Sequence, residues 1–156
     1  IKVLNGNLYR NIEWPVVVML AAMIPVGQAL ETSGISLNIA NFISTSTAGM
    51  ALPWLILMIL VITMFVSDIV NNAATAVIMA PIAANLAIQV GQPVEPFLMA
   101  VAVGASCAFL SPIGHQCNTL VMAPGNYKFG DYWRLGLPLE CVIVAISIPM
   151  ILFVWT

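Results

Sequence analysis

Long stretches without charge constrain this sequence more than any other feature. No Asp, Glu, Lys or Arg occurs within 14–30, 32–67, 69–94, 96–127 or 141–156. A helix needs about 20 apolar residues to cross the hydrocarbon core, so the chain has room for about four or five membrane segments. Of its 156 residues, 62% are hydrophobic and 6% are charged, and the mean hydropathy is +1.05. Since about a quarter of the residues in water-soluble domains are charged, we expect an all-α integral membrane protein in a lipid bilayer.

The few polar and reactive side chains exclude several classes of function. Four Lys or Arg against six Asp or Glu give no basic surface for a nucleic acid. Cys107, Cys117 and Cys141 lie in apolar sequence, which is typical of buried thiols rather than of disulfides or a zinc site. The sequence has no recognisable paired carboxylates, metal cluster or nucleophile with its base, so we expect no enzyme. The polar stretch 1–13 indicates a piece of a longer protein.

Apolar runs, prolines and polar loops divide a single membrane domain, 1–156, into segments. The first segment covers 14–31, and the second, 35–50, is polar enough that either a short crossing or a position in the interface fits it. The later segments are predicted as a helical hairpin at about 53–90, a broken helix at about 97–124, a polar aromatic loop at 127–134 and a final helix at about 135–155.

Two polar interruptions inside apolar stretches, 67–75 and 111–119, carry the information about function. Backbone N–H and C=O groups cannot face lipid unpaired, so a break at membrane depth must be buried in protein or line a polar cavity. Paired broken helices are typical of transporter binding sites. The alternative is a pair of structural kinks, since Pro and Gly are common in membrane helices. The clusters of amides and hydroxyls in both breaks favour a binding site.

The side chains of the two breaks suit an anion and a sodium ion. Asn71 and Asn72 can cap the helix after the first break, and the N–H groups at that helix N-terminus suit an anion. Gly114 lets the backbone of the second break turn freely. The amide and hydroxyl oxygens available to Na⁺ are those of Asn72, Thr75, Ser111, Asn118 and Thr119.

Two titratable residues lie in these breaks. Asp68 is the only charged residue between Glu31 and Glu95, and a carboxylate inside a membrane is a functional candidate by default. The alternative for Asp68 is a hydrogen-bonded residue at a helix turn that is needed only for shape. His115 can bind an anion or carry a proton, although a lone His in such a place is more often a structural donor.

Both breaks resemble motifs of the divalent-anion:sodium symporter (DASS) family. Residues 67–76 resemble its hairpin-tip motif Ser-Asn-Thr-Ala-Thr-Ala, and the Ser, Asn and Thr positions of that motif are occupied by Asn71, Asn72 and Ala73. Residues 111–121 are similar to the family's unwound stretch Gly-Thr-Pro-Pro-Asn, with Asn118 at the Asn position. The two motifs together are fairly specific.

The resemblance also implies an architecture. Residues 123–132 are similar to the bacterial and algal permease branch that is often assigned to sulfate, and the likeness covers the chain from about Glu13 onwards. It implies half of an inverted-repeat, all-helical transporter, the second repeat, with a helical hairpin and a broken transmembrane helix. An N-terminal repeat of the same protein, a homodimer and an elevator movement are implied with it.

By the same resemblance, both breaks are expected to hold the substrate and the coupling ion, Na⁺. The expected substrate-binding residues are Asn71, Asn72, Ala73, Thr75, His115, Gln116, Asn118 and Thr119. The expected sodium ligands are Asn72, Ser111, Gly114 and Asn118. The chain departs from the family where Asn-Asn-Ala replaces Ser-Asn-Thr, which removes two hydroxyls, and where His-Gln-Cys replaces Thr-Pro-Pro. Sulfate and dicarboxylates therefore both stay open as substrates.

The sequence thus predicts a sodium-coupled symporter of small divalent anions such as sulfate or dicarboxylates, in a bacterial inner membrane. One alternative is a proton-coupled exchanger or a passive anion channel, in which Asp68 and His115 carry the proton. Another alternative is a membrane assembly subunit that transports nothing, in which case the two breaks would tolerate substitution.

Overall fold

The computed structural model describes residues 14–47 and 49–155, and within these residues the chain forms seven α-helices and no strand. The polar stretch 1–13 lies outside the described residues. The helices are α1 (Trp14–Thr32), α2 (Ile35–Ser46), α3 (Leu52–Ile69), α4 (Asn72–Gln89), α5 (Glu95–Ala105), α6 (Gln116–Met122) and α7 (Phe129–Trp155). The all-α membrane fold expected from the sequence, with a hairpin and a broken helix, is confirmed for this part of the chain.

Helices α3 and α4 form the hairpin. Each has 18 residues, which is long and apolar enough to cross a membrane. Pro53 occupies the first turn of α3, where its missing N–H needs no partner. Only Val70 and Asn71, both extended, separate the two helices. The break expected over 67–75 is therefore narrower than predicted, because the residues on either side of it keep their helical hydrogen bonds.

Helices α5 and α6 form the broken helix, and residues 106–115 between them are not helical. The break expected over 111–119 is thus shifted toward the N-terminus. Residues 107–110 are apolar, and the sequence predicts a helix there. In the structure, the Leu110 N–H instead bonds Asp68 of α3, and the Ala108 carbonyl oxygen bonds Asn118 of α6. Residues 116–119 belong to the first turn of α6 instead.

Close packing joins α5 to α3. Gly104 makes this contact possible, since a Cβ at this position would lie 2.8 Å from the Thr63 Cβ and 2.9 Å from the Leu60 carbonyl oxygen. Small residues allow such an approach between helices in lipid, where packing rather than the hydrophobic effect drives association. The buried side chains of α3 that form this core are Leu55, Ile56, Ile59, Leu60 and Thr63.

Helices α1 and α2 pack on α4, the second arm of the hairpin. The Asn85 Nδ2 of α4 donates to the Ser36 Oγ of α2 at 3.2 Å. With 12 residues, α2 is about 18 Å long, which is shorter than a hydrocarbon core of about 30 Å. This length fits both readings of the second segment, a short crossing and a position in the interface, and both stay predictions.

Helix α7 is the longest, with 27 residues, and it begins earlier than the sequence predicted. The expected loop at 127–134 was wrong for residues 129–134, which are helical. The Asp131 Oδ2 accepts a hydrogen bond from the Lys128 N–H at 2.8 Å, and this contact stabilises the first turn. Most α7 side chains are exposed on this chain, as are Cys117 and Cys141, so the expected burial was wrong for these two thiols.

The tight contact at Gly104 yields a prediction about stability. Gly104→Ala places a methyl group against Thr63 and Leu60, and such overpacking destabilises by about 1–3 kcal/mol. The matched control is Gly130→Ala, since a Cβ there meets no atom within 4 Å. Thermal unfolding of the full-length protein in detergent should show a lower midpoint for Gly104→Ala only. Equal midpoints for the two variants would contradict the close α3–α5 contact.

Candidate functional site

The last turn of α3 lies directly against the break that follows α5. A Cβ on Gly114 would lie 2.8 Å from the Ser67 carbonyl oxygen and 3.1 Å from the Asp68 Cα, so only glycine fits there. The Ser111 Oγ donates a hydrogen bond to the Asp68 carbonyl oxygen at 2.6 Å. This oxygen belongs to the C-terminal turn of α3, where carbonyls lack helical partners. The two predicted breaks therefore meet.

The side chains of the same α3 turn pair with the backbone of the break. The Asp68 Oδ1 accepts from the Leu110 N–H at 2.9 Å, and the Ser67 Oγ donates to the Ala105 carbonyl oxygen at 2.8 Å. Asp68 is 6% exposed, and its second oxygen, Oδ2, is buried with no hydrogen-bond partner among the described residues. These bonds replace the helical partners that the backbone loses where α5 ends.

The hairpin tip uses its first asparagine to cap α4. The Asn71 Oδ1 accepts from the Ala74 N–H at 2.9 Å, as expected of an N-cap. The Asn72 Oδ1 lies 3.1 Å from the Ser67 Oγ, whose one hydrogen is shared between this oxygen and the closer Ala105 carbonyl oxygen. Ala73 is half-buried, whereas Thr75 is 0% exposed and its Oγ1 has no hydrogen-bond partner in the described chain.

The polar residues of the second break are held by hydrogen bonds within it. The Asn118 Nδ2 donates to the carbonyl oxygens of Ala108, at 2.7 Å, and Ser111, at 3.1 Å. The Thr119 Oγ1 donates to the Pro112 carbonyl oxygen at 2.6 Å. These bonds fix the path of the chain between α5 and α6.

Two residues mark the start of α6. The exposed His115 is its N-cap, and its Nδ1 accepts from the Cys117 N–H at 3.2 Å, which requires an unprotonated Nδ1. Gln116 is the first residue of α6, and its side chain lies outside the described part of the structure.

The structure brings together some of the predicted site residues and not others. A cavity of about 220 Å³ beside the break is lined by Ser106, Ala108, Phe109, His115, Cys117 and Asn118. Asn71, Asn72 and Ala73 of the tip do not line it. The hairpin and the break therefore touch at Asp68 and Ser111, and the tip amides do not line the cavity beside His115.

Helix α7 supplies contacts that the sequence did not predict. A Cβ on Gly136 would lie 2.5 Å from the Phe109 carbonyl oxygen and 3.1 Å from the Leu110 nitrogen, so the α7 backbone touches this peptide. Glu140, one turn later, lines a cavity together with Leu110 of the break. The Tyr132 hydroxyl donates to the Asn118 carbonyl oxygen at 2.7 Å. The signal in the sequence was Gly136, which lies four residues before Glu140, the only acidic residue within 135–155.

Comparison with known proteins agrees with this architecture. The family model described as a citrate transporter (CitMHS) matches residues 3–104 and, in a second alignment, residues 51–156. This chain belongs to the citrate transporter family. The resemblance to anion symporters drawn from the two breaks is thereby confirmed. The family and its named members are transporters and not enzymes, and membership agrees with an integral membrane protein.

Relatives within this family are similar over nearly the whole chain. An uncharacterized transporter of Synechocystis sp. is 38% identical over 94% of this chain and 24% of its own length. An uncharacterized transporter of Escherichia coli is 38% identical over 93% of this chain and 24% of its own length. A probable sodium/sulfate cotransporter of Chlamydomonas reinhardtii is 33% identical over 92% of this chain and 16% of its own length. The chain thus spans about a quarter or less of the length of these curated relatives.

The bond between the two breaks can be tested by removing one hydroxyl. Ser111→Ala leaves the Asp68 carbonyl oxygen and two N–H groups of the break without this partner, which destabilises by about 1–3 kcal/mol. The matched control is Ser106→Ala, whose exposed Oγ bonds only the Ala102 carbonyl oxygen within α5. Hydrogen–deuterium exchange in the full-length protein should rise over 106–115 in Ser111→Ala and stay unchanged in the control. Unchanged exchange in both would count against the contact.

Proposed function

We propose that this chain is the second repeat of a sodium-coupled symporter of small divalent anions such as sulfate or a dicarboxylate. The observation that carries the proposal is the direct contact between the end of one membrane helix and the break in another, at Ser111, Gly114 and Asp68. Non-helical backbone inside a membrane is tolerated only in protein or beside a polar cavity. A pair of such breaks is the arrangement that transporters use to hold a solute at mid-depth.

The positions of the basic side chains support sodium coupling. The basic side chains in the described part of the chain, Lys128 and Arg134, are exposed and line neither break. A divalent anion at this site has to be neutralised by helix N-termini and by bound cations, because no lysine or arginine of these residues is available. Na⁺ bound next to the anion supplies that charge, so each ion favours binding of the other. The sodium/sulfate relative agrees with this pairing.

The sodium ligands we propose are Asn72, Ser111, Gly114 and Asn118. Ser111 and Gly114 lie against the last turn of α3, and Asn72 contacts Ser67 of that turn. Amide, hydroxyl and carbonyl oxygens at one junction form the uncharged oxygen set that suits a hard monovalent cation. The Asn72 Oδ1 and the Ser111 Oγ already take part in hydrogen bonds. Sodium binding therefore has to exchange some of these hydrogen bonds for coordination.

The anion site we propose combines the tip of α4 with the second break. Asn71, Asn72, Ala73 and Thr75 come from the tip, and His115, Gln116, Asn118 and Thr119 come from the break. The tip residues do not line the 220 Å³ cavity in the described chain. We therefore propose that the N-terminal repeat of the same protein completes the site, in a homodimer whose repeats move as an elevator. Bacterial relatives support an inner-membrane location.

Sodium coupling can be tested with the full-length transporter in vesicles. Labelled sulfate and succinate uptake should require an inward Na⁺ gradient. Asn72→Ala and Asn118→Ala should lower uptake and raise the Na⁺ concentration for half-activation about tenfold, as expected when one charge-assisted contact is lost.

The control for these variants is Asn38→Ala, an exposed amide on α2. Unchanged Na⁺ activation in both site variants would contradict the assignment of these ligands. Uptake that ignores Na⁺ and follows a pH gradient would support the proton-driven exchanger instead.

The choice between sulfate and dicarboxylates can be tested at the tip. Asn71→Ser with Ala73→Thr restores the two hydroxyls of the family motif, and Ser still caps α4. If those hydroxyls favour carboxylates, the ratio of succinate to sulfate uptake should rise severalfold in the double variant. The control is Ala76→Thr, which adds a hydroxyl one turn away from Asn72. An equal rise in the control would show that the tip hydroxyls do not select the substrate.

A further inference from the structure

Two carboxylates approach the same peptide of the break from opposite helices. Asp68 of α3 accepts a hydrogen bond from the Leu110 N–H at 2.9 Å, and Glu140 of α7 lines a cavity together with Leu110. Gly136 brings α7 close enough for this, since its backbone touches the Phe109–Leu110 peptide.

Each carboxylate leaves one buried oxygen without a partner. The Asp68 Oδ2 and the Glu140 Oε1 are both buried and accept no hydrogen bond from the described residues. Asp68 as a whole is 6% exposed. A buried carboxylate is stable when it is protonated, paired with a positive group or bound to a cation, so two unpartnered carboxylate oxygens in one region favour the binding of a positive partner.

No basic side chain in the described part of the chain lies beside Asp68 and Glu140. Lys128 and Arg134 are exposed, and His115 is exposed beside α6 with its Nδ1 bonded to the Cys117 N–H. Glu140 also lines an apolar cavity of about 430 Å³ between α3 and α7, together with Val61, Met64, Phe65 and Leu137 among others. A cation at the carboxylates would therefore be shielded from bulk water, which strengthens its attraction to them.

We infer that Asp68 and Glu140 bind a sodium ion between α3 and α7, beside the Phe109–Leu110 peptide. The inference rests on the proposed sodium-coupled function. The site differs from the ligand set proposed above because it uses the carboxylates of Asp68 and Glu140, which are not in that set, although Ser111 of that set contacts the Asp68 backbone. Its carboxylate oxygens are hard ligands of the kind that alkali and alkaline-earth cations take. The ion would tie α7 to the hairpin through the break.

The test is a count of sodium ions bound by the purified full-length transporter, with radioactive Na⁺ as the probe. Glu140→Gln and Asp68→Asn keep the shape and the hydrogen-bonding capacity of each side chain but remove its charge. Each should bind one Na⁺ fewer per protomer than the wild type, or bind that ion at least about tenfold more weakly. The Hill coefficient for Na⁺ activation of uptake should fall as well.

A matched control and a second variant keep the result interpretable. Glu95→Gln removes an exposed carboxylate at the start of α5 and should bind as many sodium ions as the wild type. Glu140→Asp keeps the charge on a shorter side chain and should retain the ion with reduced affinity. Should Glu140→Gln fail to fold, Asp68→Asn and Glu140→Asp still give the count.

The outcomes separate this inference from the proposed function. Uptake that depends on Na⁺ while Glu140→Gln and Asp68→Asn bind the full number of ions with wild-type affinity overturns the inference alone. That result would mean that a proton or a basic residue elsewhere in the protein neutralises the pair. Uptake that ignores Na⁺ overturns the proposed function, and the binding count then still decides whether the carboxylates hold the ion.

Discussion

The need to pair every backbone N–H and C=O inside a membrane governs this structure. Residues 106–115 interrupt a membrane helix. Each of their backbone N–H and C=O groups, if left unpaired in lipid, would raise the free energy of the structure by roughly several kcal/mol. The last turn of α3 meets that need with the Asp68 carboxylate on the Leu110 N–H and the Ser67 hydroxyl on the Ala105 carbonyl oxygen. The Asn118 amide supplies two further donors from α6. A break stabilised in this way cannot move without the hairpin that holds it.

Glycine determines how closely the elements around the break approach. Gly114 lies against α3, Gly104 lies against the same helix from α5, and Gly136 lets α7 touch the Phe109–Leu110 peptide. At each position a methyl group would meet backbone atoms at 3.1 Å or less. Since packing and interhelical hydrogen bonds drive association in lipid, these contacts give α3, α5 and α7 a common junction. The functional residues and the packing residues therefore occupy the same small region of the fold.

The sequence predicted the elements well where polarity changes sharply. The hairpin and the broken helix followed from Asn71 and Asn118 standing within apolar runs, because lipid permits such residues only in protein or at a cavity. The exact position of the second break could not be predicted. Residues 107–110 are apolar and favour a helix locally, and only the tertiary contacts with Asp68 and Asn118 make the unwound path stable. The roles of Gly136 and Glu140 also depend on which helix packs beside the break, and no local pattern encodes that.

The charge distribution at the junction connects the stability of the break with the proposed transport. Within residues 14–47 and 49–155, the side chains around the break carry carboxylates and amides, whereas the basic side chains lie at exposed positions of the 128–134 region. In the proposed function, a negative site of this kind repels a divalent anion until cations enter it. The proposed cation binding at the junction would have two effects at once: it would neutralise the carboxylates that hold the break, and it would lower the free energy of the bound anion. The proposed coupling would then follow from electrostatics, since each ion would favour binding of the other.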